Sequence, residues 1–368
     1  MHWLARTIGL VEAIDEKVHV LKLHKPYHES DHVLNLTLNI LAGGTCLEAL
    51  ELRRQDAFYM NALGATRIPD PTTAGDFTRR FTDAVAMLNL MEAINAVRPG
   101  VWDELPAKAR RKAVIDTDGT LAPTTGERTK GMRLSYKGIW GYHPLVVSLS
   151  KTREALYLVN RPDNAVSHEG SAAYMDRAVD LVRESFKEVW LRGETDFSLT
   201  AHSDRWTKEH VNFVFGMDAM KNLVGLAQAL EEACWKPLVR RRKHKGGSNR
   251  RARRANVKER IVREKGYKNI RLQSEQVAEF PYRPVTCGRD YRMVVVHKNL
   301  SIAKGEDVLF DDICYFLYIT NDNKMTARQV VRFINGRCDH ENDIEQLKNG
   351  INAMRRTAAI STVTAPRW

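Results

Sequence analysis

The sequence lacks any apolar run of about 18 residues, the length a membrane-crossing helix needs, so it predicts no membrane span. Its N-terminal residues lack the basic-then-apolar order of a secretory signal peptide. Cysteine is scarce and widely spaced, with no Cys-x-x-Cys pair, which argues against a disulfide framework and a cysteine-based zinc site. We therefore expect reduced thiols and a cytoplasmic protein. The cysteines are Cys46, Cys234, Cys287, Cys314 and Cys338.

The 368 residues, 43% of them hydrophobic, are enough for two or three globular domains of about 100–200 residues each. Residues 1–110 have the pattern of a helical domain. From residue 111 to 217 the apolar segments predict three strands, a helix, a strand, a helix and a strand. That order matches a ribonuclease H-like α/β core, in which helices flank a mixed sheet. Residues 218–322 predict a basic, β-rich insertion, and residues 323–368 the last helix of the core.

Two of these segments carry detailed expectations. In the N-terminal domain, a helix is expected to follow the proline-rich turn, capped by Thr72 or Thr73, and to run to about Ala96. In the insertion, short strands are expected at 280–285, 291–297 and 314–320.

The charge is strongly and unevenly basic. The net charge is +12, and cationic residues crowd the stretch from Lys236 to Arg271. So dense a run repels itself without counter-charge, which favours contact with a polyanion, nucleic acid before membrane. The alternative is a disordered basic loop or a solvated helix. The predicted DNA-binding residues here are Arg240, Arg241, Arg242, Lys243, Lys245, Arg250, Arg251, Arg253 and Arg254.

Acidic side chains follow two of the predicted core strands. Asp116 and Asp118 alternate on the first strand and therefore point to one face, with Asp118 at the turn before Gly119. Glu194 and Asp196 come just after a second apolar strand. An acid beside glycine is often only a turn or cap residue. Acids at two strand ends and on a late helix, however, would hold two Mg²⁺ ions about 3.5–4 Å apart.

The late helix carries the spacing Arg337-x3-Glu341-x6-Lys348. On an α-helix these three residues lie on one face, with a carboxylate between two cations. A solvated helix face with ion pairs gives the same pattern. A break is expected near Asn335 and Gly336. Metal binding by His143, His168, His202 and His340 is not favoured, since no pair has ligand spacing on a helix.

Together the strand-end acids and the late-helix motif resemble the DDE transposases of bacterial insertion sequences, in the group with a Tyr-Arg-Glu-Lys signature and a β-strand insertion. The resemblance covers residues 112 to about 355. It implies cleavage at transposon ends and strand transfer into target DNA, with Asp118, Glu194 and Glu341 as catalytic acids and metal ligands and Asp116 and Asp196 as alternatives. Arg337 and Lys348 would hold phosphates of the transposon end.

The resemblance also implies cofactors and partners. Two Mg²⁺ ions are expected, with Mn²⁺ as the alternative. The expected partner is double-stranded DNA, both terminal inverted repeats and target, bound by a homodimer in which the N-terminal domain binds DNA or dimerises. Glu194 stands where the family has Asp, and little chain follows the last motif. Both features favour an alternative, a transposase remnant that binds DNA without catalysis. A structure-specific nuclease on the same core is a third interpretation.

Overall fold

The chain forms two compact units. The first consists of Met1–Gly193, Glu209–Val211 and Gly336–Trp368, and the second of Glu194–Lys208 and Asn212–Asn335. The predicted domain boundaries after residues 110, 217 and 322 stay predictions. The computed structural model describes residues 2–124, 132–135, 138–162, 164–239, 260–261, 264–266, 268–304 and 307–351.

The N-terminal part of the first unit is helical, as expected. Its core is built where helical periodicity brings apolar side chains to one side of each helix, around Ile14, Val18, Phe77, Phe81 and Ala93. The helices are α1 (His2–Thr7), α2 (Leu10–Lys17), α3 (Glu29–Leu41), α4 (Ala49–Gln55), α5 (Ala57–Leu63), α6 (Pro71–Arg79), α7 (Ala84–Ala96) and α8 (Arg98–Asp103).

The expectation of a single helix from the proline-rich turn to about Ala96 is wrong, because α6 and α7 are separate. The cap was also misassigned. Asp70, rather than Thr72 or Thr73, caps α6, and its carboxylate accepts the Thr73 N–H at 2.9 Å. Asp83 accepts a backbone N–H of the first turn of α7 at 2.7 Å. A second capping acid therefore starts a second helix where the periodicity alone suggested continuity.

Four neighbouring strands of a mixed sheet form the centre of the first unit. These strands are β1 (Lys112–Gly119), β5 (Leu145–Leu149), β6 (Glu154–Val159) and β7 (Glu188–Gly193), and a small separate sheet contains β2 (Ala122–Pro123), β3 (Arg133–Leu134) and β4 (Trp140–Tyr142). Helix α9 (Ser171–Arg183) packs against β1, β5 and β7. Every residue of β5 is buried, which explains why its residues, apart from Ser148, are apolar on both faces rather than alternating.

The order of these four strands is β6-β5-β1-β7. Strand β5 pairs antiparallel with both β6 and β1, whereas β7 pairs parallel with β1. Asp116 lies opposite Arg192 in the parallel pair, and Asp118 lies opposite Val146 in the antiparallel pair. The predicted mixed α/β fold with a ribonuclease H-like sheet flanked by helices is confirmed.

The second unit contains an antiparallel sheet of order β8-β12-β11-β10-β9. Its elements are α10 (Thr200–Lys208), β8 (Asn212–Met217), α11 (Lys221–Gln228), β9 (Lys236–Pro237), β10 (Lys268–Tyr282), β11 (Tyr291–Lys304), β12 (Asp307–Thr320) and α12 (Ala327–Asn335). The expected strands are present but far longer than predicted, because their polar halves pair along the full length of the hairpins.

The chain after α12 returns to the first unit as α13 (Cys338–Glu345), followed by a π-helical turn, Gln346–Gly350. The predicted break near Asn335 and Gly336 is confirmed, since α12 ends at Asn335 and α13 begins at Cys338. The π-helical turn was not predicted.

Candidate active site

Asp118 lies near the end of β1, with only 16% of its side chain exposed. Its carboxylate accepts the N–H of the next residue, Gly119, at 2.8 Å. It also accepts a hydrogen bond from Arg337 Nη1 at 3.0 Å. The strand end therefore holds the acid in a fixed orientation, as the Asp-Gly turn suggested.

Gly119 is required at its position by a close neighbour. A Cβ atom there would lie 2.5 Å from His143 Nε2. His143 Nδ1 is 3.1 Å from the Ala165 carbonyl oxygen, and because a carbonyl only accepts, Nδ1 carries the proton. Sequence reasoning did not place His143 in the site, since nothing in its spacing reveals that it packs beside the first acid.

Arg337 bridges the acid at the end of β1 and the acid of α13. Its side chain is 13% exposed, and its two terminal nitrogens each bind a carboxylate. Nη1 donates to Asp118 Oδ2 at 3.0 Å, and Nη2 donates to Glu341 Oε1 at 3.0 Å. The Glu341 side chain, 56% exposed, opens to solvent on one side. The structure thus brings together Asp118, Arg337 and Glu341, which the sequence analysis proposed as site residues.

Lys348 lies half-buried in the π-helical turn. Burial lowers the pKa of its amino group, and the negative charges of Glu345 and Asp118 partly offset that effect. Asp118 is therefore close enough for its charge to act on Lys348. The predicted face of Arg337, Glu341 and Lys348 is directed toward the end of β1.

Asp116, the alternative first acid, is fully buried and has a different partner. Arg192 Nε donates to its Oδ1 and Arg192 Nη2 to its Oδ2, both at 2.6 Å. The Arg192 side chain is 5% exposed and also donates to Ser150 Oγ at 2.9 Å. Both carboxylate oxygens of Asp116 are therefore engaged by one guanidinium inside the sheet, whereas Asp118 faces the motif helix.

His340, next to the motif acid, fixes the helix to the sheet. Its Nδ1 lies 2.7 Å from Ser148 Oγ on β5. Burial lowers the pKa of His340 to about 4, so the ring is neutral at pH 7. The buried Ile344 one turn later gives α13 a second buried contact on the same side. Sequence reasoning missed this anchoring role, although His340 and Ile344 have the i,i+4 spacing of a buried face.

Glu194 and Asp196 belong to the second unit. They flank Thr195 at a 3-10 turn, Thr195–Phe197, in which Phe197 is buried and both acids are exposed. Gly216 on β8 lies so close to this turn that an added Cβ would be 2.9 Å from the Thr195 nitrogen. The loop is thus held closely by its own unit, with its carboxylates on the outside.

The predicted DNA-binding cations of the basic segment lie outside the described residues: Arg240, Arg241, Arg242, Lys243, Lys245, Arg250, Arg251, Arg253 and Arg254. In the part of the chain that the structure does describe, no helix has the length and apolarity needed to cross a membrane.

The donor set at β1 and α13 fits a divalent cation. Asp118 and Glu341 direct carboxylate oxygens at one guanidinium, so two anions already surround a single cation. Carboxylate oxygens are the hard ligands that Mg²⁺ prefers. Asp118 and Glu341 are therefore the residues that would hold the metal.

Comparisons with known proteins identify the family of this chain. A family model described as Transposase DDE domain, group 1, matches residues 1–363. A search of curated proteins found no match. Among solved structures, the chain is similar to a piggyBac transposase, determined by cryo-EM as a synaptic complex with hairpin DNA. The identity is 10% and the TM-score 0.41, over 100% of this chain and 70% of that one.

Proposed function

Because the chain belongs to the DDE transposase family, we propose that it catalyses divalent-metal-dependent DNA cleavage at transposon ends and strand transfer into target DNA. The observation that carries this proposal is the Asp118–Arg337–Glu341 cluster. Arg337 and Asp118 lie 219 residues apart in the sequence, yet they are in direct contact. Two acids and an arginine that the family motif requires thus meet at a strand end, where α/β folds commonly place their chemistry.

Asp118 and Glu341 act as metal ligands in this proposal. When bound, two Mg²⁺ ions, or Mn²⁺ in their place, would activate the attacking oxygen and stabilise the leaving oxygen of the phosphodiester. Arg337 is positioned by both carboxylates, and its planar guanidinium suits bidentate binding of a DNA phosphate. Lys348 supplies a second, compact positive charge beside it. His340 stays neutral and keeps α13 seated on β5.

Glu194 is our candidate for the third acid, with Asp196 and Asp116 as alternatives. Glu194 is exposed at the turn after β7, which supports access to a metal ion. Its side chain is one methylene longer than the aspartate that the family usually has. Since Mg²⁺ requires ligands at 2.0–2.1 Å in near-octahedral geometry, that extra length bears directly on activity.

The proposed partner is double-stranded DNA, bound as transposon ends and as target by a homodimer. The basic segment from Lys236 to Arg271 and the net charge of +12 support sequence-independent contact with the DNA backbone. A protein that binds DNA without cutting it is the competing function, because Glu194 departs from the family pattern.

The test is Mg²⁺-dependent cleavage of a linear DNA that carries the flanks of this gene. Asp118→Asn and Glu341→Gln keep the shape of each side chain but remove its charge. Each should lower the cleavage rate by roughly 100-fold or more, because metal binding contributes several kcal/mol to the transition state. Asp339→Asn, an exposed acid on the same helix, is the matched control. Undiminished cleavage by either active-site variant would overturn the assignment.

The substitution Glu194→Asp distinguishes a transposase that cleaves DNA from a protein that only binds DNA. Binding of the same DNA, measured by fluorescence anisotropy, should be unaffected by this change. If the original chain binds but does not cleave, and the Glu194→Asp variant cleaves, the chain is a DNA-binding protein whose catalytic site has been impaired. If the original chain itself cleaves, the competing function is excluded.

A further inference from the structure

A second group of metal-ligating side chains lies away from the acids of β1 and α13, in the loop between α2 and α3. His24, His28 and Glu29 each offer one ligand atom, and these three atoms lie within 4.8 Å of one another. His24 Nδ1 is 3.1 Å from Glu29 Oε2. The rings of His24 and His28 stack with centroids 5.5 Å apart.

Glu29 is the fixed member of this group, with its side chain 1% exposed. Its Oε1 accepts the N–H groups of Val20 at 3.1 Å and Leu21 at 3.0 Å, so only Oε2 faces His24. A buried carboxylate is therefore fixed by the backbone, with its other oxygen beside an imidazole nitrogen.

The two histidines are exposed and give solvent access to the cluster. His28 directly precedes α3, and its backbone N–H donates to Asp31 Oδ2 at 2.9 Å, which fixes the chain at this point. An imidazole has two ring nitrogens, so a histidine can bind a cation with one and keep a different partner on the other. The pattern His-x3-His-Glu is visible in the sequence, but its significance depends on the turn of the loop before His28.

We propose that His24, His28 and Glu29 bind a transition-metal ion, Zn²⁺ by preference. Zinc bonds to histidine nitrogen and carboxylate oxygen of about 2.0–2.1 Å place tetrahedral ligand atoms roughly 3.3 Å apart. The 3.1 Å separation of His24 Nδ1 and Glu29 Oε2 already matches that edge. The exposed His28 ring supplies the third ligand, and water the fourth. Imidazole ligands favour zinc over Mg²⁺.

The role of this ion is to tie the loop to α3. Glu29 already holds the loop through Val20 and Leu21, and the metal would add His24 from the middle of the same loop. Without metal, His24 Nδ1 pairs directly with Glu29 Oε2 at 3.1 Å. A zinc site and a simple pair of His24 and Glu29 can be told apart, because only the zinc site should bind the added ion.

The experiment is equilibrium dialysis of the EDTA-treated full-length chain against Zn²⁺ in excess Mg²⁺, followed by elemental analysis. The excess Mg²⁺ occupies all-oxygen sites and leaves histidine sites to zinc. His24→Ala and Glu29→Gln should each bind about one equivalent of zinc less than the unmodified chain. Gln keeps an oxygen for the Val20 and Leu21 amides while replacing the ligand oxygen. His19→Ala, an exposed neighbour, should bind as much zinc as the unmodified chain.

A second readout is thermal. Zinc should raise the Tm of the unmodified chain and of His19→Ala but not that of His24→Ala, because an ion that binds only the folded state stabilises it. The proposal would be overturned if the unmodified chain and His24→Ala contained equal amounts of zinc. It would also be overturned if His19→Ala lost as much bound zinc as His24→Ala does. If Glu29→Gln folds poorly, His24→Ala decides the question, because the exposed His24 side chain can be removed without opening the core.

Discussion

The buried pair of Asp116 and Arg192 gives the sharpest prediction about stability. Replacing Arg192 with Met would leave the carboxylate of Asp116, which is 0% exposed, without the guanidinium that now binds both its oxygens at 2.6 Å. Removing one partner of such a pair costs about 3–5 kcal/mol, because a charge stays buried and uncompensated. At about 2–4 °C per kcal/mol for units of this size, Tm should fall by roughly 6–20 °C.

The matched control is Arg111→Met. Arg111 pairs with Glu188 at 3.5 Å in the same unit, but these side chains are 77% and 42% exposed, so the loss should stay below about 1 kcal/mol. The double variant Asp116→Leu/Arg192→Met should recover most of the stability, since it buries no charge. Thermal unfolding followed by circular dichroism measures all three variants. The reasoning fails if Arg192→Met lowers Tm no more than Arg111→Met does.

Two further predictions concern the surroundings of the site. His340 has a folded pKa of about 4 against an ordinary value of 6.5, so the unfolded state binds the extra proton between these values. The contribution of His340 to the free energy of unfolding is therefore fully present above pH 6.5, and roughly 3 kcal/mol of it is lost as the pH falls toward 4. In urea unfolding, the free energy of unfolding of His340→Gln should depend less on pH over that range than the free energy of the unmodified chain does. Gly119→Ala would place a Cβ 2.5 Å from His143 Nε2 and should cost about 1–3 kcal/mol. In urea unfolding, the added substitution His143→Ala should relieve that cost, and a cost that persists unchanged would show that the contact is not its cause.

The sequence predicted the elements that carry the site better than the contacts between them. The apolar run before Asp118 gave β1, and the Asn335–Gly336 break gave the boundary before α13. Neither the Asp116–Arg192 pair nor the His340–Ser148 contact could be predicted in this way. Each depends on which strands are neighbours and in what register, and that information lies in residues far apart along the chain.

The apolar patterns within single segments also missed two features of the fold. The strands of the insertion were predicted only over their apolar halves, whereas their more polar halves also form strands by pairing with each other. The second helix start at Asp83 was missed because apolar periodicity continues across the interruption. Both misses arise where a partner or a cap, rather than intrinsic preference, decides the local structure.

The pairing of Asp116 with Arg192 also bears on how β1 and β7 find their alignment during folding. The two residues lie directly opposite each other. A slip of one position would set Arg192 against Ile115 or Thr117 and leave two buried charges unpaired, at a cost that an apolar pair would not impose. The same slip would turn Asp118 to the other face of the sheet relative to β7. An ion pair that adds little stability over an apolar pair of the same size thus selects one alignment of β1 and β7.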